Sequence, residues 1–189
     1  NTNNDQVDSI DLIESVENNV VVLGFGRFSQ IVCQTLLARG IQVTVIDANI
    51  DRIRSAAKFG FKVYYGDGSR LDVLRACGLE KASCLILGIS DTHCIELIVE
   101  QIKQEYPLLP VLARTYDRQS AVNLMKLNID FQIRETFESA LLLGREALIH
   151  LGVAQVEADE VVTAIRQLDQ ERLNEEVLHG FSFKRSWSN

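Results

Sequence analysis

The sequence predicts an α/β protein with a doubly wound, mostly parallel sheet of about six strands, followed by C-terminal helices. Two observations support this fold class. Short β-branched runs alternate with longer helical patterns, which is the order expected of βαβ units. The length of 189 residues suits one α/β domain and leaves little room for a second, substrate-binding domain.

Six short runs are predicted to form the strands of this sheet. They are VVVL (20–23), VTVI (43–46), KVYY (62–65), CLIL (84–87), VLA (111–113) and FQI (131–133). Right-handed crossovers between successive parallel strands would place helices on both faces of the sheet.

Polar residues predict where several helices begin. Ser69 or Asp72 is expected to open one helix, and Asp91 is expected to open an amphipathic helix that runs to Tyr106. The segment 134–152 is predicted to be one strongly apolar helix, and a second helical pattern covers 156 to about 178. Because segment 134–152 has more apolar surface than one sheet face can cover, we expect it to form a homodimer interface.

The chain is expected to divide near residues 18 and 152. Residues 1–18 are polar and acidic, as is typical of a linker, whereas 19–152 form the α/β domain and 153–189 a helical extension and tail. The first residue is Asn1 and the only methionine is Met125. The sequence is therefore expected to be a fragment or a processed product.

Composition and charge exclude several classes of function. A net charge of −7 and a pI near 5.0 argue against a nucleic-acid partner, because binding a phosphate backbone needs a basic face. No stretch approaches the roughly 18 apolar residues that span a bilayer, so we expect the chain to be soluble as given.

The cysteines lack CxxC spacing and are predicted to be core residues in a reducing compartment; they are Cys33, Cys77, Cys84 and Cys94. The histidines are too scattered for a metal site.

The clearest local signal is VVVLGFGRFS, where Gly24, Gly26 and Ser29 match the Gly-x-Gly-x-x-Gly fingerprint with serine in the third position. Gly24 permits a tight turn, and Gly26 lets the backbone approach a phosphate. The helix that begins near Arg27 offers free N–H groups and the positive end of its dipole. The pattern predicts a Rossmann-like nucleotide site, although a strand–turn–helix that binds nothing remains the alternative.

Two acidic residues at predicted strand ends add weight to this site. Asp47 follows the second strand, 21 residues after Gly26, which is about the spacing at which an acid accepts hydrogen bonds from ribose hydroxyls. An acid there repels a 2′-phosphate, so AMP, ADP, ATP or NAD is favoured over NADP. Asp67 follows the third strand and is a candidate acceptor for the adenine amino group, with a helix cap as its alternative role.

The sequence lacks the motifs of the enzymes that share this fold. GxSxG, Cys/His and Walker A patterns are absent. A stand-alone NAD-dependent reductase or epimerase is also disfavoured, because no tyrosine is followed four residues later by lysine. We therefore expect a binding domain that is not an enzyme.

Taken together, five segments resemble the RCK domain, also called KTN or TrkA-N. They are VVVLGFGRFSQIVCQTLL, VTVIDANIDRI, KFGFKVYYGDGSRLDVLRACGLEKASCLILGI, VLARTYD and RETFESALLLGREAL, and they span roughly residues 19–152. The elements GFGRF, KFG-x-KV-x-YGD and RETFE are most similar to the cytoplasmic C-terminal domain of the Kef glutathione-regulated potassium-efflux antiporters.

The Kef resemblance implies a regulatory domain on the cytoplasmic face of the bacterial inner membrane, in one polypeptide with a membrane antiporter domain. It implies a homodimer that holds AMP or a similar nucleotide such as NAD, with glutathione closing and glutathione S-conjugates opening the transporter. An auxiliary oxidoreductase is a further candidate partner. The alternative is an RCK domain that senses NAD(H) or ATP for a potassium uptake system or channel.

The resemblance also supplies candidate site residues. Those for the nucleotide are Gly24, Phe25, Gly26, Arg27, Phe28, Asp47, Ala48, Asp67, Gly68, Ser69 and Arg114. Those for glutathione are Arg27, Phe59, Arg114 and Arg134, since a peptide with two carboxylates favours guanidinium groups, and a bulky conjugate would displace Phe59. As alternatives, Arg114 clamps the nucleotide phosphate, Arg27 and Arg134 form dimer salt bridges, and Phe59 is a core aromatic residue. Ser29 departs from the usual glycine of the family.

Overall fold

The computed structural model describes residues 19–179, and the predicted linker 1–18 lies outside this range. Its strands are β1 (Asn19–Leu23), β2 (Gln42–Asp47), β3 (Lys62–Tyr65), β4 (Cys84–Leu87), β5 (Val111–Thr115) and β6 (Phe131–Arg134). They form one sheet in the order β3-β2-β1-β4-β5-β6. Strand β1 pairs in parallel with β2 and β4, and β2 pairs in parallel with β3. The predicted doubly wound sheet of six strands is thus confirmed.

Helices connect successive strands and continue after the last one. They are α1 (Arg27–Ala38), α2 (Ile50–Lys58), α3 (Leu71–Ala76), α4 (Thr92–Glu105), α5 (Arg118–Lys126), α6 (Phe137–His150) and α7 (Gln155–His179), with a 3₁₀ turn at Leu79–Lys81. None of the helices described between residues 19 and 179 combines the length and the apolar character needed to cross a bilayer.

The position of β1 inside the sheet explains why its sequence is a continuous hydrophobic run. Val21 and Val22 are fully buried although neighbouring residues of a strand point to opposite faces. A parallel strand covered by helices on both faces is expected to be apolar throughout. The register Val21↔Thr44 and Leu23↔Ile46 aligns the ends of β1 and β2, so that the loops after both strands begin at the same edge.

The described chain separates into two compact units. The first comprises the described residues up to Ile89 together with Gln101–Leu112, and the second comprises Ser90–Glu100 with residues 113–179. The core of the first unit is built on β1, β2 and β4 and includes Phe25, Cys33 and Ile53. A smaller core in the second unit joins α5 to α7 and is formed by Ala121, Val122 and Leu173, with Met125 and Val177 against it. The predicted boundary at residue 152 stays a prediction.

Several sequence expectations need correction at the level of single elements. The apolar helix begins at Phe137, not at residue 134, because Phe131–Arg134 is recruited into the sheet as β6. Helix α3 has Arg70 as its N-cap residue, so neither Ser69 nor Asp72 opens it. Asp91 does cap α4, since its Oδ1 accepts the Cys94 N–H at 3.1 Å.

The prediction that all four cysteines are core residues holds for two of them. Cys33 and Cys77 are buried, whereas Cys84 and Cys94 are only partly buried. Burial raises the pKa of the Cys33 thiol to about 11, so this side chain is a neutral, apolar packing group at physiological pH.

Candidate functional site

The glycine turn after β1 is held by steric contacts that exclude a side chain. Gly24 has a φ of +86°, and its N–H donates to the Ile46 carbonyl at 2.8 Å. A Cβ added at Gly24 would lie 2.8 Å from Ile89 Cγ2 and 3.1 Å from the Ile89 backbone nitrogen. Both the backbone conformation and the close approach therefore require glycine.

Gly26 is the N-cap residue of α1 and has no side chain with which to cap the helix. The first turn of α1 contains Arg27, Phe28 and Ser29 and no acidic residue. The positive end of the helix dipole is thus not neutralised by an acid of its own first turn, which suits it to an anion. Arg27 is exposed at this position and Phe28 is partly buried.

Asp47 ties the glycine turn to the end of β2. Its side chain is 6% exposed, and its Oδ2 accepts the Phe25 N–H while its Oδ1 accepts the Asn49 N–H, both at 2.7 Å. These charge-assisted bonds fix the carboxylate next to the loop that would face a phosphate. Asp47 consequently has a structural role in addition to the ribose role that its spacing predicts, and Ala48 beside it is exposed.

The loop after β3 completes this edge of the sheet. The Gly66 N–H donates to the Asp47 carbonyl at 3.1 Å, and a Cβ on Gly68 would lie 1.9 Å from Leu23 Cδ1 at the end of β1. Asp67 is exposed, and its Oδ1 accepts both the Ser69 hydroxyl at 2.6 Å and the Ser69 N–H at 3.0 Å. The structure therefore brings the predicted residues of the first three strand ends together at one carboxyl edge.

The third position of the fingerprint, Ser29, packs differently from the glycine of the usual motif. Ser29 is fully buried, and a Cβ on Gly88, which follows β4, would lie 2.0 Å from Ser29 Oγ. The fingerprint uses a glycine on the helix for close packing between helix and strand. Here the glycine required for this contact is on the strand side, and the sequence interpretation did not single out Gly88.

Phe59 lies in an aromatic cluster beside the glycine turn. It is the C-cap residue of α2 and is 49% exposed, so it is not a core aromatic residue. Its ring centroid lies 6.5 Å from that of Phe25 and 6.1 Å from that of Phe61. Phe25, whose N–H is bound by Asp47, thereby links Phe59 to the candidate nucleotide loop.

The remaining predicted residues belong to the second unit. Arg114 in β5 is 8% exposed, its Cζ lies 4.9 Å from the centre of the Tyr116 ring, and its Nη1 lies 3.8 Å from Glu135 Oε2. These contacts combine an ion pair with a cation–π interaction. They place the guanidinium in a well-defined, largely buried position at the end of β5.

Arg134 at the end of β6 interacts with the last helix. It forms an ion pair with Asp169 of α7, and its Cζ lies 4.3 Å from the centre of the Phe137 ring. Asp169 also pairs with Arg118 Nη1 at 3.1 Å, so one carboxylate bridges two arginines. Sequence interpretation missed Asp169, because it lies 35 positions after Arg134 in the sequence and no local pattern reveals the contact.

Comparison with known proteins relates this arrangement to a family. The model of the TrkA-N domain family matches residues 20–135. The chain is 63% identical over 189 residues to a glutathione-regulated potassium-efflux system protein of Haemophilus influenzae, covering 97% of this chain and 31% of that protein. It is 36% identical over 172 residues to the glutathione-regulated potassium-efflux system protein KefC of Klebsiella pneumoniae, covering 91% of this chain and 28% of the relative. The chain thus spans about a third of the length of these curated relatives.

A solved structure extends the comparison to three dimensions. The AMP-bound Kef C-terminal domain of Shewanella denitrificans is 35% identical, with a TM-score of 0.79, and the match covers 85% of this chain and 99% of that domain. Both the sequence and the fold of the described residues therefore agree with the resemblance found from the motifs. The chain belongs to the TrkA-N (RCK) domain family and closely matches the C-terminal domain of Kef glutathione-regulated potassium-efflux proteins.

Proposed function

We propose that this chain is the ligand-sensing regulatory domain of a potassium-efflux protein that exchanges K⁺ for H⁺, and that it performs no catalysis itself. The observation that carries the proposal is the edge formed by the glycine turn, Asp47 and the loop around Asp67. That edge provides a helix N-terminus for a phosphate and two carboxylates for the groups of an adenosine. The membrane antiporter domain, in this proposal, lies elsewhere in the same polypeptide.

The ligand that this edge fits best is AMP or another adenosine nucleotide with a free 2′-hydroxyl. Support comes from Asp47, whose carboxylate is fixed by two backbone N–H groups and can still accept from ribose hydroxyls, since each carboxylate oxygen has a second lone pair. Asp67 is the candidate acceptor for the adenine amino group. The further candidates are Gly24, Phe25, Gly26, Arg27, Phe28, Ala48, Gly68, Ser69 and Arg114.

Mass spectrometry of the nucleotide that co-purifies, followed by titration calorimetry with AMP, NAD and NADP, tests this function. We expect AMP to bind, NADP to bind more weakly than NAD, and Asp47→Ala to lose about 1.5–3 kcal/mol of binding free energy, the range for a hydrogen bond to a charged group. Asp51→Ala is the control, because Asp51 is 86% exposed and pairs only loosely with Arg54. The absence of any adenosine binding by the unmodified chain contradicts the proposal.

We further propose that glutathione and its S-conjugates regulate the domain, with Arg27, Phe59, Arg114 and Arg134 as candidate contact residues. Both ligands carry the same carboxylates and should compete, while only the conjugate has a bulky group that can displace Phe59. A ligand shifts a conformational equilibrium only through such a difference in affinity. The half-exposed Phe59 ring and its contact with Phe25 give that displacement a route to the nucleotide loop.

Fluorescence competition on the chain and potassium efflux from cells with the full transporter test the regulatory proposal. Glutathione should displace a labelled conjugate, and Arg27→Ala should weaken both ligands by about 1.5–3 kcal/mol. Phe59→Ala should change the ratio of efflux with conjugate to efflux with glutathione more than it changes either affinity. Failure of glutathione to displace the conjugate, or normal regulation in both variants, contradicts the assignment.

We also propose that two copies of the chain form a homodimer through α6. Leu142 and Leu143 on this helix are 56% and 74% exposed, and adjacent apolar side chains with this exposure favour burial against a partner. An auxiliary oxidoreductase is a further partner in this proposal, by resemblance to the Kef family.

A further inference from the structure

Arg52 in the first turn of α2 lies beside two of the groups that form the nucleotide edge. Its Nη1 is 3.7 Å from Asp47 Oδ2, and a Cβ added at Gly26 would lie 3.9 Å from both Arg52 Cζ and Nη2. The guanidinium therefore borders both the candidate ribose acid and the glycine where a phosphate-binding backbone approaches its ligand. Arg52 lies in the segment VTVIDANIDRI that resembles the family, but it is not among the candidate site residues predicted from the sequence.

The local structure of α2 determines where the Arg52 side chain begins. Asn49 is the N-cap residue, and its Oδ1 accepts the N–H groups of Asp51 at 2.9 Å and Arg52 at 3.2 Å. Ile53, the next residue, is 7% exposed and anchors the helix in the core of the first unit. The backbone of Arg52 is thus held at both sides, while its side chain remains 52% exposed.

The Arg52–Asp47 ion pair has little to contribute to stability. Its 3.7 Å separation exceeds hydrogen-bond distance, Arg52 is half exposed, and Asp47 already accepts two backbone N–H groups. An ion pair this long, with its arginine half in solvent, contributes little to folding. The positive charge nevertheless lies next to the carboxylate that would otherwise repel a phosphate on the ribose.

We propose that Arg52 determines how strongly the site discriminates against a phosphate on the adenine ribose. In Rossmann-type sites an acid after the second strand selects the free 2′-hydroxyl, whereas a nearby arginine accommodates a 2′-phosphate. This chain has both groups side by side. The site accordingly binds 2′-phosphorylated adenosine nucleotides with only a modest loss of affinity relative to AMP. This inference rests on the proposed nucleotide-binding function.

Titration calorimetry of the 189-residue chain with AMP and with adenosine 2′,5′-bisphosphate tests the role of Arg52. The unmodified chain should bind the bisphosphate within about tenfold of AMP, and Arg52→Gln should widen this ratio by at least about another tenfold, the lower end for a contact with a charged group. Arg52→Lys retains the charge and should keep the ratio close to that of the unmodified chain. Arg54→Gln is the matched control, because Arg54 lies on the same helix, is 71% exposed and pairs with Asp51.

The outcomes separate this inference from the function on which it rests. If Arg52→Gln weakens both ligands by the same factor, or behaves as Arg54→Gln does, the specificity role is wrong while nucleotide binding stands. If the unmodified chain binds neither ligand, the nucleotide function itself is wrong and the role of Arg52 falls with it. Thermal unfolding of each variant establishes that it is folded. Lysine keeps both the charge and the helix propensity of Arg52, so Arg52→Lys still tests the specificity role if Arg52→Gln does not fold.

Discussion

At the scale of single residues, Asp67 shows how a short loop sets the charge of a candidate binding group. The hydrogen bonds from the Ser69 hydroxyl and from the Ser69 N–H, with a smaller effect of the Arg70 charge, hold the pKa of Asp67 below its ordinary value of 3.8. Asp67, which like any ordinary aspartate is ionised at neutral pH, therefore stays ionised to a more acidic pH. An ionised carboxylate only accepts hydrogen bonds, as contact with an adenine amino group requires.

We expect Ser69→Ala to raise the pKa of Asp67 toward its ordinary value, because the variant removes the hydroxyl donor and keeps the backbone donor. The direction in which the stability changes with pH follows from the lowered pKa of Asp67 in the folded chain. The stabilisation by ionised Asp67 is complete above the ordinary value and is lost as the pH falls through the lowered one. An NMR titration of the Asp67 carboxyl measures the shift. Ser139→Ala is the control, since Ser139 Oγ donates to the Thr136 carbonyl, and identical curves for Ser69→Ala and the unmodified chain contradict the prediction.

At the scale of elements, the contact between Ser29 and Gly88 determines how closely α1 approaches the end of β4. Ser29 Oγ is buried, and among the residues that the structure describes it has no hydrogen-bond partner. Ser29 Oγ occupies the space that the lack of a Cβ at Gly88 leaves open. Because α1 carries the candidate phosphate-binding turn at its N-terminus, this packing also positions that turn.

We expect Gly88→Ala to lower the free energy of unfolding by about 1–3 kcal/mol, the usual cost of overpacking a core. The double variant Ser29→Gly/Gly88→Ala should recover most of that loss, because it removes the group with which the new Cβ collides. Urea unfolding of the four chains in this cycle measures the coupling. Gly144→Ala is the control, since a Cβ there would meet no atom of residues 19–179 within 4 Å apart from its chain neighbours and the nearby backbone of its own helix. If the effects of the two substitutions on the free energy of unfolding simply add, a Cβ at position 88 does not collide with Ser29, and the prediction is wrong.

The elements differ in how far sequence patterns could predict them. The strands around KVYY and CLIL have the predicted bounds, because turn residues flank each apolar run. The start of α6 could not be found by periodicity, since only Glu135 and Thr136 separate β6 from α6 and no longer loop marks the boundary. Arg52, Gly88 and Asp169 were missed for a different reason. Gly88 and Asp169 act through residues distant in sequence, and Arg52 borders Gly26 as well as Asp47, so none of these contacts belongs to a motif that the sequence interpretation used.

At the scale of the whole molecule, the exposed apolar residues of α6 bear on the oligomeric state. Leu142 and Leu143 face solvent in the single chain, whereas Leu141 and Leu148 are half-buried within it. A substitution that probes an interface should leave the fold of the single chain intact. Leu142 and Leu143 are therefore better probes than the half-buried pair.

We expect Leu142→Glu/Leu143→Glu to convert a dimeric chain into a monomer, because charged side chains are costly to bury in an apolar interface. Sedimentation velocity measures the change, and circular dichroism checks that the variant is folded. Leu108→Glu is the matched control, since Leu108 is 94% exposed and lies in the loop before β5. A dimer that survives the double substitution shows that α6 is not the interface.

The packing of Ser29 on Gly88 also constrains how this sequence can change over evolutionary time. While position 29 is serine, any side chain at position 88 collides with it, so Gly88 is locked. A lineage with glycine at position 29 could accept alanine at position 88, but serine could enter position 29 only where position 88 was already glycine. The two positions are thus epistatic, and the order of the two substitutions decides whether the intermediate protein loses stability.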